Sequence, residues 1–119
     1  RQSLEDQVRP LIRQFVEAQN GRFREHCSDK FLEALLLRQM SQPAWSHRAT
    51  DTCRADALLN GDSNVAYEAA CPIFETLLEG RCGVRCNGHH VAQDFAEAMN
   101  ALHQSEVGMS SLVPEKVVL

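Results

Sequence analysis

Apolar residues recur at three- and four-residue spacing along the first third of the chain, the pattern of amphipathic helices. One such stretch covers residues 3–19 and a second covers 28–40, and each opens on a serine in the N-cap position. Asn20-Gly21 is a stop signal for the first, while Pro10 predicts either a kink or a later start. The apolar positions are Leu4, Val8, Leu11, Ile12, Phe15 and Val16 in the first stretch, and Phe31, Leu32, Leu35, Leu36 and Met40 in the second.

Two further helices are predicted later in the chain. A weaker pattern from about Thr50 to Leu59 ends at a clear Asn-Gly stop. A regular apolar stripe then predicts a last helix from Val91 to about His103. The closing residues, 112–119, are rich in Val and Leu and predict an extended segment, which Pro114 would confine to a sheet edge.

The stretch between Cys71 and His90 has a different composition. It holds three glycines, a proline, three cysteines and two adjacent histidines, a density of Gly and Pro that predicts loops and short strands. We therefore expect a mainly α fold of the α+β kind in a single domain, 1–119. In it, N-terminal helices (1–64) pack against a small loop, strand and helix unit (65–119).

Composition narrows the classes of function. The chain has 119 residues, of which 44% are hydrophobic, and this suffices for one hydrophobic core. Its net charge of -4 argues against nucleic acid as a partner, because binding to phosphates requires positively charged side chains. The longest apolar run, 34–37, is far too short for a membrane helix. Five cysteines is an odd number without framework spacing, which favours reduced thiols and a cytoplasmic location. Because the chain opens on Arg1, we expect it to be a domain of a longer protein.

The candidate chemistry is concentrated in the cysteines and histidines of this same stretch. Cys71, Cys82, Cys86 and His89 have side chains that zinc prefers, although the three-residue gap between Cys82 and Cys86 is not a standard spacing. Small buried thiols beside a polar loop are the alternative. Cys82 or Cys86 beside His89 could also form a nucleophilic pair, but the spacing identifies no orienting third residue. No catalytic residue and no cofactor is therefore predicted.

Four features follow one another in the C-terminal half: the tripeptide CPI at 71–73, an Asn-Gly-His turn at 87–89, the predicted helix at 91–102, and Leu-Val-Pro at 112–114. This order resembles the U-box, a RING-like ubiquitin ligase domain, in the divergent form found in bacterial effectors. The resemblance covers residues 71–119. It implies loops held without zinc, and an apolar groove that binds a ubiquitin-conjugating enzyme. The residues matched to that groove are Ile73 and Phe74 in the first loop, Met99 and Leu102 on the helix, and Val107 in the second loop.

Three functional hypotheses result. The first is an E3 ubiquitin ligase domain that positions a conjugating enzyme for transfer to a protein substrate without binding metal, located in the host cytoplasm if the protein is an effector. The second is a helical protein–protein interaction or adaptor module without enzymatic activity. The third is a small structural domain around a single zinc, bound by Cys71, Cys82, Cys86 and His89. None of the three requires nucleic acid or a membrane.

Overall fold

The computed structural model describes residues 3–44, 52–78 and 88–118, with side chains described up to residue 105. In these residues the chain forms five helices: α1 (Leu4–Ala18), α2 (Asp29–Met40), α3 (Arg54–Leu59), α4 (Asn64–Leu78) and α5 (Gly88–Val118). The only extended pairing that they contain is an isolated antiparallel bridge between Pro43 and Cys53. The prediction of a mainly helical fold is confirmed.

The signals that start and stop the first two helices act as predicted. The Ser3 hydroxyl accepts a hydrogen bond from the Asp6 amide at 3.1 Å, and Ser28 caps α2 in the same way. After α1 the chain turns through Asn20 and Gly21, whose φ angles are 54° and 75°. Glycine adopts this left-handed conformation without steric cost. Pro10 lies inside α1 and does not delay its start.

The core is built mainly from aliphatic side chains, with an aromatic cluster at its centre. Phe74 of α4 is fully buried, and its ring centroid lies 5.1 Å from Phe23 and 6.3 Å from Phe15. Phe15 in turn meets Phe95 of α5 edge-to-face at 5.0 Å. These contacts bring α1, α4 and α5 together around a single core, and the most extensive helix–helix packing is between α4 and α5.

The prediction of a loop beginning at Cys71 is wrong, because residues 71–78 belong to α4. Pro72 has no amide hydrogen, so it removes one helical hydrogen bond to the carbonyl of Glu68. Burial of the apolar face offsets this loss, since that face continues at helical spacing on both sides of the proline. Its buried members are Val65, Ala66, Ala69, Ala70, Ile73, Phe74 and Leu78.

The extended tail is also a wrong prediction. The last helix starts at Gly88, ahead of the expected Val91, and its backbone continues through 112–118 to Val118. Extending an existing helix avoids the entropic cost of nucleation, and this outweighs the weak strand preference of the valines. None of the helices in the described part of the chain has both the length and the apolar character needed to cross a membrane.

The third helix is shorter than expected and begins at Arg54, with Cys53 at its N-cap. Arg54 is a charged side chain with only 5% of its surface exposed. Its Nη1 donates to the Gln39 carbonyl at 2.9 Å, and its Nε lies 3.5 Å from a Glu68 carboxylate oxygen. The guanidinium thus links α3 to both α2 and α4, a role that hydrophobic periodicity could not reveal.

Candidate functional site

A polar stripe runs along α4 beside its buried face. Tyr67, Cys71 and Glu75 are spaced by four residues, so their side chains lie one above another on the same side of the helix. Cys71 is half-buried, whereas the Glu75 side chain is 47% exposed. The stripe offers a phenol, a thiol and a carboxylate at the edge of the core.

The first turn of α5 lies directly against this stripe. A Cβ on Gly88 would stand only 2.6 Å from the Glu75 Cα and from the Phe74 carbonyl carbon. Any side chain at this position would therefore push the two helices apart, and glycine allows the close approach. As a result the next residue, His89, reaches over the stripe.

The imidazole of His89 contacts all three members of the stripe. Its Nδ1 lies 2.7 Å from the Tyr67 hydroxyl and 3.4 Å from the Cys71 Sγ, and its Nε2 lies 2.7 Å from a Glu75 carboxylate oxygen. The Tyr67 and His89 rings are also stacked, with centroids 6.3 Å apart. We call these four residues the α4–α5 cluster. Ligand atoms of Cys71, Glu75 and His89 all lie within 4.8 Å of one another, so the group could hold a metal ion.

The electrostatics of the cluster keep the thiol of Cys71 protonated. Desolvation raises the pKa of Cys71, the negative charge of Glu75 adds to this effect, and the hydrogen bond from Tyr67 opposes it. A thiol with a raised pKa is a poor nucleophile at neutral pH. Desolvation also raises the pKa of Tyr67, which keeps its hydroxyl available as a donor. The raised pKa therefore argues against nucleophilic catalysis by Cys71, whereas a metal bound at this sulfur would have to displace the thiol proton.

The residues that the U-box resemblance assigned to a conjugating-enzyme groove are mostly in the core. Phe74 and Met99 are fully buried, Ile73 is 9% exposed, and Leu102 is half-buried against the core. Val107 lies on the backbone of α5, and its side chain is outside the described residues. Ile73 and Phe74 thus occupy a helix rather than the exposed loop that the resemblance implied.

Two of the four residues named in the single-zinc alternative, Cys71 and His89, lie close together, while Cys82 and Cys86 lie outside the described residues. Among the described cysteines, Cys27, Cys53 and Cys71 are free thiols. Sequence reasoning missed Tyr67 and Glu75. Tyr67 and Glu75 are each four residues from Cys71, a spacing that places the three side chains on one face of a helix. The sequence predicts this shared face only if the helix continues through Pro72.

Two other surface features stand out in the described part of the chain. Phe31 on α2 is 55% exposed, but isolated apolar side chains are ordinary on protein surfaces. The groove between α1 and α2 is crossed by an ion pair in which Nε and Nη2 of Arg13 donate to the two carboxylate oxygens of Glu33, at 3.1 and 3.0 Å. Neither feature brings together side chains that could bind one metal ion, whereas the α4–α5 cluster does.

Comparisons of the chain with protein-family profiles, with curated proteins and with solved structures give no match.

Proposed function

We propose that this chain is a small helical zinc-binding domain in which the metal joins the start of α5 to α4. The observation that carries the proposal is the 3.4 Å distance between the Cys71 Sγ and the His89 Nδ1. In a tetrahedral zinc site, bonds of about 2.3 Å to sulfur and about 2.0 Å to nitrogen place these two atoms about 3.5 Å apart. The pair is thus already spaced as two ligands of one ion.

The role of the zinc in this proposal is structural. His89 and Cys71 come from different helices, so an ion bound to both fixes the packing of α5 on α4. Cys82 and Cys86 enter the proposal from the sequence alone, as the thiols that complete the four ligands of a closed site. Such sites add their binding free energy to folding, because the unfolded chain does not preform them.

Metal titration of the purified protein tests the proposal. After treatment with a chelator, the wild type should bind one equivalent of zinc and gain thermal stability. Cobalt in its place should give the near-ultraviolet charge-transfer band of a thiolate ligand. Cys71→Ser and His89→Gln should lose most of the affinity, while the matched controls Cys53→Ser and His90→Gln should keep it. A wild type that binds no metal, or controls that lose as much affinity as the site variants, would overturn the proposal.

The other two hypotheses stay predictions, with their own measurements. An E3 ligase activity predicts ubiquitin transfer by this chain with some member of a panel of conjugating enzymes, and chelator should not remove it. With Ile73 and Phe74 in the core, the geometry offers that activity less support than it offers zinc binding. An interaction module predicts a protein partner whose binding Phe31→Ala weakens, because that is the large apolar side chain exposed in the described part of the chain.

A further inference from the structure

We infer that Glu75 acts from outside the metal's ligand shell, as the carboxylate that orients His89 and directs the metal to its Nδ1. This inference rests on the proposed function and assigns a role to a residue that the sequence did not single out. Metal-bound histidines commonly donate their second ring N–H to a carboxylate, which fixes the tautomer and the orientation of the ring. Glu75 has the geometry of that partner.

The proton on the His89 ring can be placed from its neighbours. An ionised carboxylate only accepts hydrogen bonds, so the 2.7 Å contact between Glu75 and Nε2 requires the proton to be on Nε2. In the neutral ring Nδ1 then carries a lone pair and accepts the hydrogen bond from the Tyr67 hydroxyl. The nitrogen with the free lone pair is thus the one 3.4 Å from the Cys71 sulfur.

Direct ligation by Glu75 fits the distances less well. Two ligands on one tetrahedral zinc, each bonded at about 2.0–2.2 Å, lie about 3.4 Å apart. The Glu75 oxygen and the Nε2 are only 2.7 Å apart, which is the length of a hydrogen bond. This Glu75 oxygen contacts Nε2, whereas the Cys71 sulfur contacts Nδ1, so a metal held by Nδ1 and the sulfur leaves the hydrogen bond between Glu75 and Nε2 intact.

Tyr67 has a complementary place in the same arrangement. When a metal takes the Nδ1 lone pair, the Tyr67 hydroxyl loses that acceptor. The Cys71 sulfur is its other hydrogen-bond partner in the cluster, and a metal binds this sulfur as the thiolate. The Tyr67 hydroxyl then donates its hydrogen bond to the sulfur, so each of the two ligands has a partner outside the metal's ligand shell.

Cobalt binding to the full chain tests the inference, with Glu75→Ala and Glu75→Gln compared with Glu97→Gln, an exposed acid of α5. We expect Glu75→Ala to weaken cobalt binding about 10- to 100-fold, the usual effect of removing such a partner. Its charge-transfer and ligand-field bands should keep their positions, because no ligand is lost. In apo protein with 15N-labelled histidine, Nε2 of His89 should be protonated in the wild type, and this preference should fall in Glu75→Ala. Glu97→Gln should match the wild type throughout.

The results distinguish a Glu75 that orients His89 from a Glu75 that binds the metal directly, and from a chain that binds no metal. Shifted ligand-field bands in both Glu75 variants would make Glu75 a ligand and overturn the inference. Unchanged affinity in Glu75→Ala, or a wild-type proton on Nδ1, would also overturn it while zinc binding stands. A wild type without a thiolate charge-transfer band would remove the proposed function itself, and the inference with it.

Discussion

Replacing Gly88 with alanine is the most direct test of how the cluster is assembled. The added methyl would lie 2.6 Å from the Glu75 Cα, and Cβ contacts below 3.0 Å are essentially never found. The atoms it meets are backbone of α4, so no side chain can rotate away and the start of α5 must shift. Overpacking of this kind costs about 1–3 kcal/mol. Alanine has a better helix propensity than glycine, by about 1 kcal/mol inside a helix. Residue 88 is the first of α5, so only part of this gain offsets the cost of overpacking.

We therefore expect Gly88→Ala to lower the free energy of unfolding by about 2 kcal/mol. For 119 residues, an unfolding entropy of about 2.1 cal/mol/K per residue converts this into a fall in Tm of about 8 °C. Urea unfolding of the metal-free protein measures the loss, with Asn100→Ala at an exposed position of α5 as the control. The same shift should separate Cys71 from His89 and weaken zinc binding at least tenfold. A Gly88→Ala protein as stable as the control would refute the close packing of α5 on α4.

Other substitutions probe the core, a cap and a thiol. Phe74→Ala should cost about 3–5 kcal/mol in urea unfolding, because the ring is fully buried, whereas Phe31→Ala should change stability by less than about 0.5 kcal/mol; equal losses would contradict the assigned core. Ser28→Ala should cost about 1 kcal/mol in the same assay by removing the α2 cap, and a neutral result would show that the cap contributes nothing. Desolvation, and then the charge of Asp29, raise the pKa of Cys27 above its ordinary value of 9.0, so folding favours the neutral thiol. This preference contributes to the free energy of unfolding below about pH 9, and the contribution is lost as the pH rises through the folded-state pKa of Cys27. Between pH 8 and 10 the wild type should lose stability more steeply than Cys27→Ser, and parallel slopes would argue against the shift.

Local sequence determined much of the helical N-terminal half. The apolar stripe of α1, the serine caps and the Asn20-Gly21 stop each act through residues within one or two turns, so their effect can be read without knowing the fold. The mainly helical class follows from the same signals. The choice of Cys71 and His89 as metal-ligating candidates also came from residue type alone.

Tertiary packing decided the rest. Pro72 and the nearby glycines predict a loop by local rules, but the apolar face that ends in Phe74 and Leu78 gains more from burial than the helix loses at the proline. Only after α4 continues through residue 72 do Tyr67, Cys71 and Glu75 share a face. Only the close approach at Gly88 then brings His89 onto it. The cluster joins residues up to 22 positions apart, and no local pattern encodes such a contact, because it depends on how two helices pack.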